Sequence, residues 1–335
     1  MSPRFSVVVT AHNEGDAIAA CLHAISRQDG VADDELEIVV VDDRSTDDTA
    51  GVARACAVEG LRLIRIDEAA ATSLTARQNA LDLGFRAARG QIVLVLDADA
   101  LVEPDWLRRM TAQILDGRAD AVAGRVRFRG GGALAAWQSV DAAFYLGVCW
   151  LLSWLGLDRG VLFGNFCFLR SAYLAVGGFA AIGPTLTEDL AFARSLARTG
   201  CRIAYDDPTV SVRAAPDWQS LIARAKRVGS GPVAPLSVAL AAWMALLPIF
   251  AIAALASGSA ALWAAFAVRY LAGAAFVAAN LLAGGLRRLL PLALFYEPLA
   301  IAIGLWVIVA VALDPRVTWG GRVYRQPGKD PVKAP

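Results

Sequence analysis

Asp97-Ala98-Asp99 closes the apolar run QIVLVLD at 91–97. Alternate residues of an extended segment share a face, so two carboxylates there can serve one hard cation, Mg²⁺ or Mn²⁺. A cation held this way would neutralise a departing diphosphate. Two acids on a solvated loop are the plain alternative, and it is the position after a strand that gives the triplet weight. Asp42-Asp43 close another apolar run, LEIVVVD. A carboxylate here can accept the imide N–H of a uracil ring, although Asp-Arg-Ser-Thr-Asp-Asp also suits a helix start. Thr187-Glu188-Asp189 precedes the helical pattern LAFARSLARTG. An acid at a helix start ordinarily caps it. Beside the other two clusters, Asp189 becomes the candidate general base that takes a proton from an acceptor hydroxyl. Gly164-Asn165-Phe166 and Gly177-Gly178-Phe179 supply glycines for close backbone approach or positive φ.

Other chemistries lack their minimal residues. There is no Gly-x-Ser-x-Gly elbow and no P-loop. The two histidines, His12 and His23, are out of register for a zinc site, and the five cysteines contain no CxxC pair. They read as reduced thiols of a cytosolic compartment. The charge pattern holds no basic footprint for nucleic acid.

The acids must be positioned by regular elements. FSVVVT (5–10), LEIVVVD (36–42), LRLIRI (61–66) and QIVLVLD (91–97) read as strands. Helical patterns lie between them at about 16–28, from about 45–48 onward with Thr46 or Asp47 as cap, and at about 73–88. Another opens at Pro104. Continuous apolar strands separated by helices predict an α/β fold, a mostly parallel sheet covered on both faces. Ligands of such sheets bind beyond the carboxyl ends of the strands, where the acids cluster.

Past residue 231 the character changes. The 335 residues are 57% hydrophobic and 19% charged, against about a quarter charged in soluble domains. Residues 1–231 carry 24 Lys+Arg against 28 Asp+Glu, and 232–335 carry 8 against 3. Apolar stretches at 232–257, about 259–284 and about 289–313 each exceed the ~20 helical residues needed to cross a ~30 Å hydrocarbon layer. The expected organisation is a catalytic domain at 1–231, about three transmembrane helices within 232–313, and a basic tail at 314–335. A basic strip, Arg213, Arg224, Lys226 and Arg227, suits an anionic cytoplasmic membrane face. The aromatic apolar segment at about 137–157 is expected to lie in the membrane interface. The N-terminus reaches Glu14 without an apolar run, so neither leader nor N-terminal anchor is expected. Topology stays open. Three spans would separate tail and catalytic domain, yet the tail is basic, and 289–313, with Pro291 and Pro298, reads alternatively as re-entrant.

SVVVTAHNE, VVVVDDRSTDDT, TARQNAL, LDADA, GNFCFLR, GGF and TED, in this order, resemble the family 2 glycosyltransferases of the GT-A fold over roughly residues 4–230. The apolar tail and the closing Trp319-Gly-Gly-Arg-Val-Tyr324 are similar to the ceramide glucosyltransferase-like branch, which includes enzymes glycosylating hopanoids and carotenoids. The resemblance implies that Thr10, Ala11 and Glu14 line the nucleoside pocket and that Asp42 or Asp43 reads the base. It places Arg77 and Asn79 near ribose and diphosphate, although Gln78 interrupts the usual spacing. It makes Asp97 and Asp99 the metal pair, puts Gly164, Asn165 and Glu188 on the acceptor side, and makes Asp189 the base. Arg224 and Arg227 would grip the diphosphate or anchor to headgroups.

The expected activity is inverting, metal-dependent transfer of one sugar from a nucleoside-diphosphate donor, UDP by family frequency, to a hydroxyl of a membrane lipid. The enzyme would be a multi-pass protein of the cytoplasmic membrane with its catalytic domain facing the cytoplasm. Processive polysaccharide synthesis is a rival, weakened because the family's Gln-x-x-Arg-Trp reads Arg224-Ala-Lys-Arg227-Val228 here. A non-catalytic membrane scaffold with a degenerate nucleotide domain is another, with Arg269, Asn280 and Glu297 as a polar path.

Overall fold

The computed structural model describes residues 3–68, 72–157, 159–229, 235–319 and 322–325. Its elements run β1 (Phe5–Ala11), α1 (Ile18–Ser26), β2 (Leu36–Asp43), α2 (Thr49–Ala55), β3 (Leu61–Ile66), α3 (Ala76–Ala87), β4 (Ile92–Asp97), α4 (Trp106–Leu115), β5 (Ala121–Arg129) and α5 (Ala133–Trp154). They continue as β6 (Phe166–Leu169), α6 (Arg170–Val176), α7 (Gly178–Ile182), α8 (Glu188–Arg198), β7 (Ile203–Arg213), α9 (Trp218–Gly229), α10 (Pro235–Ser257), α11 (Ala260–Ala283), α12 (Ala293–Leu313), β8 (Arg316–Trp319) and β9 (Arg322–Arg325).

Seven strands form one mixed sheet, ordered β3-β2-β1-β4-β6-β5-β7. β1, β2, β3 and β4 are parallel, and β6 runs antiparallel to both neighbours. The strand sequences explain the layering. Side chains alternate across a strand, so a continuous Val/Ile/Leu run feeds two cores at once. Val7, Val9, Ile38, Val40, Leu94 and Leu96 enter one core with α1 and α4. Val8, Val39, Val41, Val93 and Val95 enter the other, with α3, α6 and α8. That second core is rich in rings: Phe85 meets Phe168 edge-on at 5.1 Å, and Phe168 meets Phe192 at 5.0 Å. α3 lies close on the sheet because Gly84 has no side chain. A Cβ there would fall 2.5 Å from Val8 Cγ1.

Two expected helix starts shift. α2 begins at Thr49 with Asp48 at its cap position, because Asp47 accepts from the Thr49 N–H at 3.0 Å and holds the preceding turn open. α4 begins at Trp106, two residues beyond Pro104, which stays in the turn before it.

The chain divides into two compact units, 1–130 with 159–214 and 316–335, and 131–158 with 215–315. This partition differs from the expected one at two places. α5 starts at Ala133 and is 22 residues long, so it exceeds the apolar segment seen in the sequence. It belongs to the second unit, where Phe144 packs edge-on against Phe276 of α11 at 5.8 Å. The segment after α12 is not a free basic tail. β8 and β9 pair antiparallel, with Val317 opposite Tyr324, and belong to the catalytic unit. Residues 326–335, Gly320, Gly321 and the expected boundary at 231 lie outside the described residues.

Among the described residues, the second unit holds three helices long and apolar enough to cross a membrane: Val238–Ser257, Ala260–Ala283 and Arg287–Leu313. α12 continues through Pro298. Of the expected polar path, Asn280 donates to the Phe276 carbonyl of its own helix at 2.9 Å, and Arg269 and Glu297 are held in a buried network. Arg269 donates to Glu297 at 2.8 Å and to the Trp243 carbonyl at 2.7 Å, and Trp243 Nε1 donates to Glu297 at 2.9 Å. The guanidinium also sits 3.6 Å from the Trp243 ring centroid. Charges in an apolar bundle persist only when paired in this manner. At the end of the bundle, Lys226 of α9 pairs with Asp314, just beyond α12, at 3.5 Å.

Candidate active site

The parallel register alone brings the first acids together. Thr10 lies opposite Asp97, and Ala11 opposite Asp42. The carboxyl ends of β1, β2 and β4 therefore open on one edge. Their loops are stitched by hydrogen bonds. The Asn13 N–H donates to Ser45 Oγ at 2.9 Å, the Glu14 N–H to Thr49 Oγ1 at 2.9 Å, and the Gly15 N–H to Asp47 at 3.0 Å. Asn13 in return accepts from the Thr46 N–H at 2.8 Å. Asn13 and Arg44 both take positive φ to make these turns.

Asp97, Asp99 and Glu14 concentrate negative charge at this edge. Burial, reinforced by Asp97, raises the Asp99 pKa, against the Arg213 N–H that donates to it at 2.7 Å. Burial and then Asp99 push Glu14 up to about 7. Such crowding suits a site that receives a cation. Among the described residues no three His, Cys, Asp or Glu side chains form a ready cage. Two carboxylates with the remaining positions left to water and phosphate is how Mg²⁺ and its like are ordinarily held. Gly164 borders this pair: a Cβ there would lie 3.3 Å from Asp97 Oδ2.

Arg77 joins the carboxylate at the end of β4 to the acid at the start of α8. It projects from the first turn of α3, donates to Asp97 at 2.5 Å and pairs with Glu188 at 2.8 Å. Burial opposes its charge, but Asp97, Glu188 and Asp189 outweigh that and hold its pKa above the ordinary value. Asp189 follows Glu188 in the first turn of α8, where its carboxylate accepts the Leu190 N–H at 2.8 Å.

Gln78 was missed as a structural residue. It is fully buried, donates to the Gly183 carbonyl at 2.9 Å and accepts from the Thr185 N–H at 3.0 Å. It thereby clamps α3 to the loop that leads into Glu188 and Asp189. The signal was in the sequence, since Thr75-x-x-Gln78 is a capping box.

Several expected contacts fall elsewhere. Asn165 is fully buried and spends its whole amide inside the sheet. It donates to Arg125 and Pro208 carbonyls at 2.8 and 2.7 Å and accepts from Trp106 Nε1 at 2.9 Å. Both of its amide N–H groups are thereby spent inside the fold. Asp43 is held bidentately by Arg44 at 2.7 and 3.0 Å, whereas Asp42 is buried with one carboxylate oxygen unpartnered. Asn79 is half-buried on α3. Arg224 and Arg227 belong to α9 in the second unit. There, Asp141 of α5 accepts from the Tyr296 hydroxyl at 2.8 Å.

A doubly covered mixed sheet with acids gathered at its parallel strand ends has the layout expected of a GT-A fold. The comparisons place it further. Residues 6–172 match the family model described as Glycosyl transferase family 2, and 92–312 match Glycosyl transferase family group 2. The chain belongs to the family 2 glycosyltransferases. Similar curated proteins include the succinoglycan biosynthesis protein ExoO of Rhizobium meliloti, 36% identical over 37% of this chain and 32% of ExoO. Glycosyltransferase AglE of Haloferax volcanii is 32% identical over 38% of this chain and 40% of its own length. An undecaprenyl-phosphate 4-deoxy-4-formamido-L-arabinose transferase of Aeromonas hydrophila is 28% identical over 33% and 34%. The matched segments thus span about a third of these relatives. Among solved structures, the mannosyltransferase PcManGT of Pyrobaculum calidifontis, in complex with GDP-Man and Mn²⁺, superposes with TM-score 0.54 at 23% identity, covering 93% of this chain and 81% of that one.

Proposed function

We propose that this enzyme transfers a single sugar, with inversion, from a nucleoside-diphosphate sugar to a hydroxyl of a membrane lipid. The observation that carries the reading is Arg77, which ties the carboxylate at the end of β4 to the acid pair at the start of α8. Donor and acceptor chemistry then meet within one side chain's reach. Thr10, Glu14 and the stitched loops after β1 and β2 would enclose the nucleoside, with Asp42 or Asp43 toward the base. Asp97 and Asp99 would hold Mg²⁺ or Mn²⁺, which supplies neutralisation of the departing diphosphate. Asp189 would take the proton of the attacking hydroxyl while its oxygen bonds the anomeric carbon and the carbon–diphosphate bond breaks on the opposite face. The Mn²⁺-bearing structural neighbour and the undecaprenyl-phosphate transferase support the metal and the lipid acceptor by similarity. Lipids extracted from cells carrying the active chain should show a species heavier by one hexose, absent with Asp99→Ala. A ladder of several sugars would favour a processive synthase, and unchanged lipids would overturn the acceptor assignment.

The membrane reading has a parity consequence. The chain leaves the catalytic unit at Ala214 and rejoins it at Arg316. Lys226 before the bundle and Asp314 after it are in contact. On this reading start and finish would share one side, the cytoplasmic one, and α10 to α12 would cross an even number of times, with one of them re-entrant or in the membrane plane. α5 likewise rejoins the catalytic unit at both ends, which suits a helix lying in the headgroup layer with Trp150 and Trp154 exposed. Reporters fused at the two termini should both report the cytoplasm. Reporters on opposite sides would mean three full crossings.

A further inference from the structure

Tyr324 comes from the hairpin after the last apolar helix, yet it is buried beside the first turn of α3. Its hydroxyl accepts the Ala76 N–H at 3.0 Å, and its ring packs with Leu186 and Val317. Ala76 is the first residue of α3 and immediately precedes Arg77. Leu186 lies in the loop that Gln78 clamps, two residues before Glu188. The phenol also lies within electrostatic range of Arg44, in the loop after β2. One side chain thus touches the start of α3 and the lead-in to α8, and faces the loop after β2. The first N–H groups of a helix have no partner within it, so a buried one needs an acceptor from outside.

We propose that Tyr324 is a positioning residue of the active site: by accepting the Ala76 N–H and packing on Leu186, it holds Arg77 in register between Asp97 and Glu188. It touches none of the expected reacting groups and acts through Arg77. The hairpin that follows the membrane helices is then a working part of the catalytic unit. This rests on the proposed transferase reading for its effect on activity, but not for its effect on the first turn of α3.

Tyr324→Phe keeps the ring and removes only the acceptor. In the full-length protein in detergent, amide exchange at 74–79 and 183–189 should quicken about tenfold, the size of one lost buried hydrogen bond, while β1 and β2 stay protected. Donor turnover, with UDP- and GDP-sugars and Mn²⁺ as probes, should fall about tenfold in kcat with KM little changed. In an Arg77→Lys background the same substitution should cost little more, because both act on one element. A residue that merely stabilised the fold would give additive losses and equal loss in both backgrounds. Unchanged exchange at 74–79, or additive kinetics, overturns the proposal. Quickened exchange in a protein that binds neither Mn²⁺–UDP nor Mn²⁺–GDP upholds the positioning of α3 and overturns the sugar-nucleotide reading instead.

Discussion

Asp189→Asn is expected to lower turnover by about a thousandfold, within the ~10²–10⁴ that a positioned general base contributes, in a protein that still folds and still binds the nucleotide. The geometry explains the separation. The carboxylate of Asp189 accepts the Leu190 N–H at the start of α8, and an amide oxygen in the same place accepts it equally well. The helix start is preserved and only the capacity to take a proton is lost. Asp99→Ala makes the contrast. It removes one of the two carboxylates expected on the cation, so nucleotide affinity in the presence of Mn²⁺ should fall together with turnover. Titration calorimetry with Mn²⁺ and UDP or GDP, beside single-turnover kinetics, reads the two variants apart. Near-normal turnover by Asp189→Asn would remove it as the base and turn attention to Glu188.

Arg77→Ala should be the most destabilising single substitution in the site. Arg77 and Glu188 are 20% and 6% exposed at the side chain, and Asp97 is 32% exposed. Removing the cation strands Glu188 in a buried place. Breaking a buried pair from one side costs roughly 3–5 kcal/mol, and the lower end applies because Asp97 keeps some contact with water. For a unit of this size that is a fall of roughly 6–12 °C in Tm. Glu188→Gln in the Arg77→Ala background should recover part of the loss, since the stranded charge is then gone. Thermal unfolding of the two single variants and the double variant in detergent checks this. A double variant whose loss equals the sum of the two single losses would show that the pair is not coupled. Arg77→Lys keeps the charge but not the fork that spans two carboxylates, so its stability should lie between the wild type and Arg77→Ala.

Much of this architecture can be read from local pattern. Runs such as SVVVT and QIVLVLD can bury both faces only as strands inside a covered sheet, and a strand that ends in acids places those acids at its carboxyl end. Three apolar stretches of more than twenty residues announce membrane-length helices because helix rise and bilayer thickness are fixed quantities. Composition and period therefore sufficed for the four strands β1 to β4, for the loops that bear Asp42, Asp97 and Asp189, and for the three apolar helices, whereas β5, β6 and β7, which complete the sheet, were not legible in them. Partners distant in the chain are another matter. Asn165 looks like a site residue by its neighbours Gly164 and Phe166, but its amide meets Trp106, Arg125 and Pro208 only when β5, β7 and α4 converge. Gln78 looks like an interruption until the loop at 183–185 closes on it, 105 residues away for its bond to Gly183. Tyr324 looks like part of a basic tail until its hairpin reaches α3, 248 residues upstream. A hydrogen bond's value depends on whether its partner is there once water has been excluded. A residue type and its neighbours state the capacity to bond, and the tertiary structure decides whether that capacity is spent holding the fold or left for the substrate.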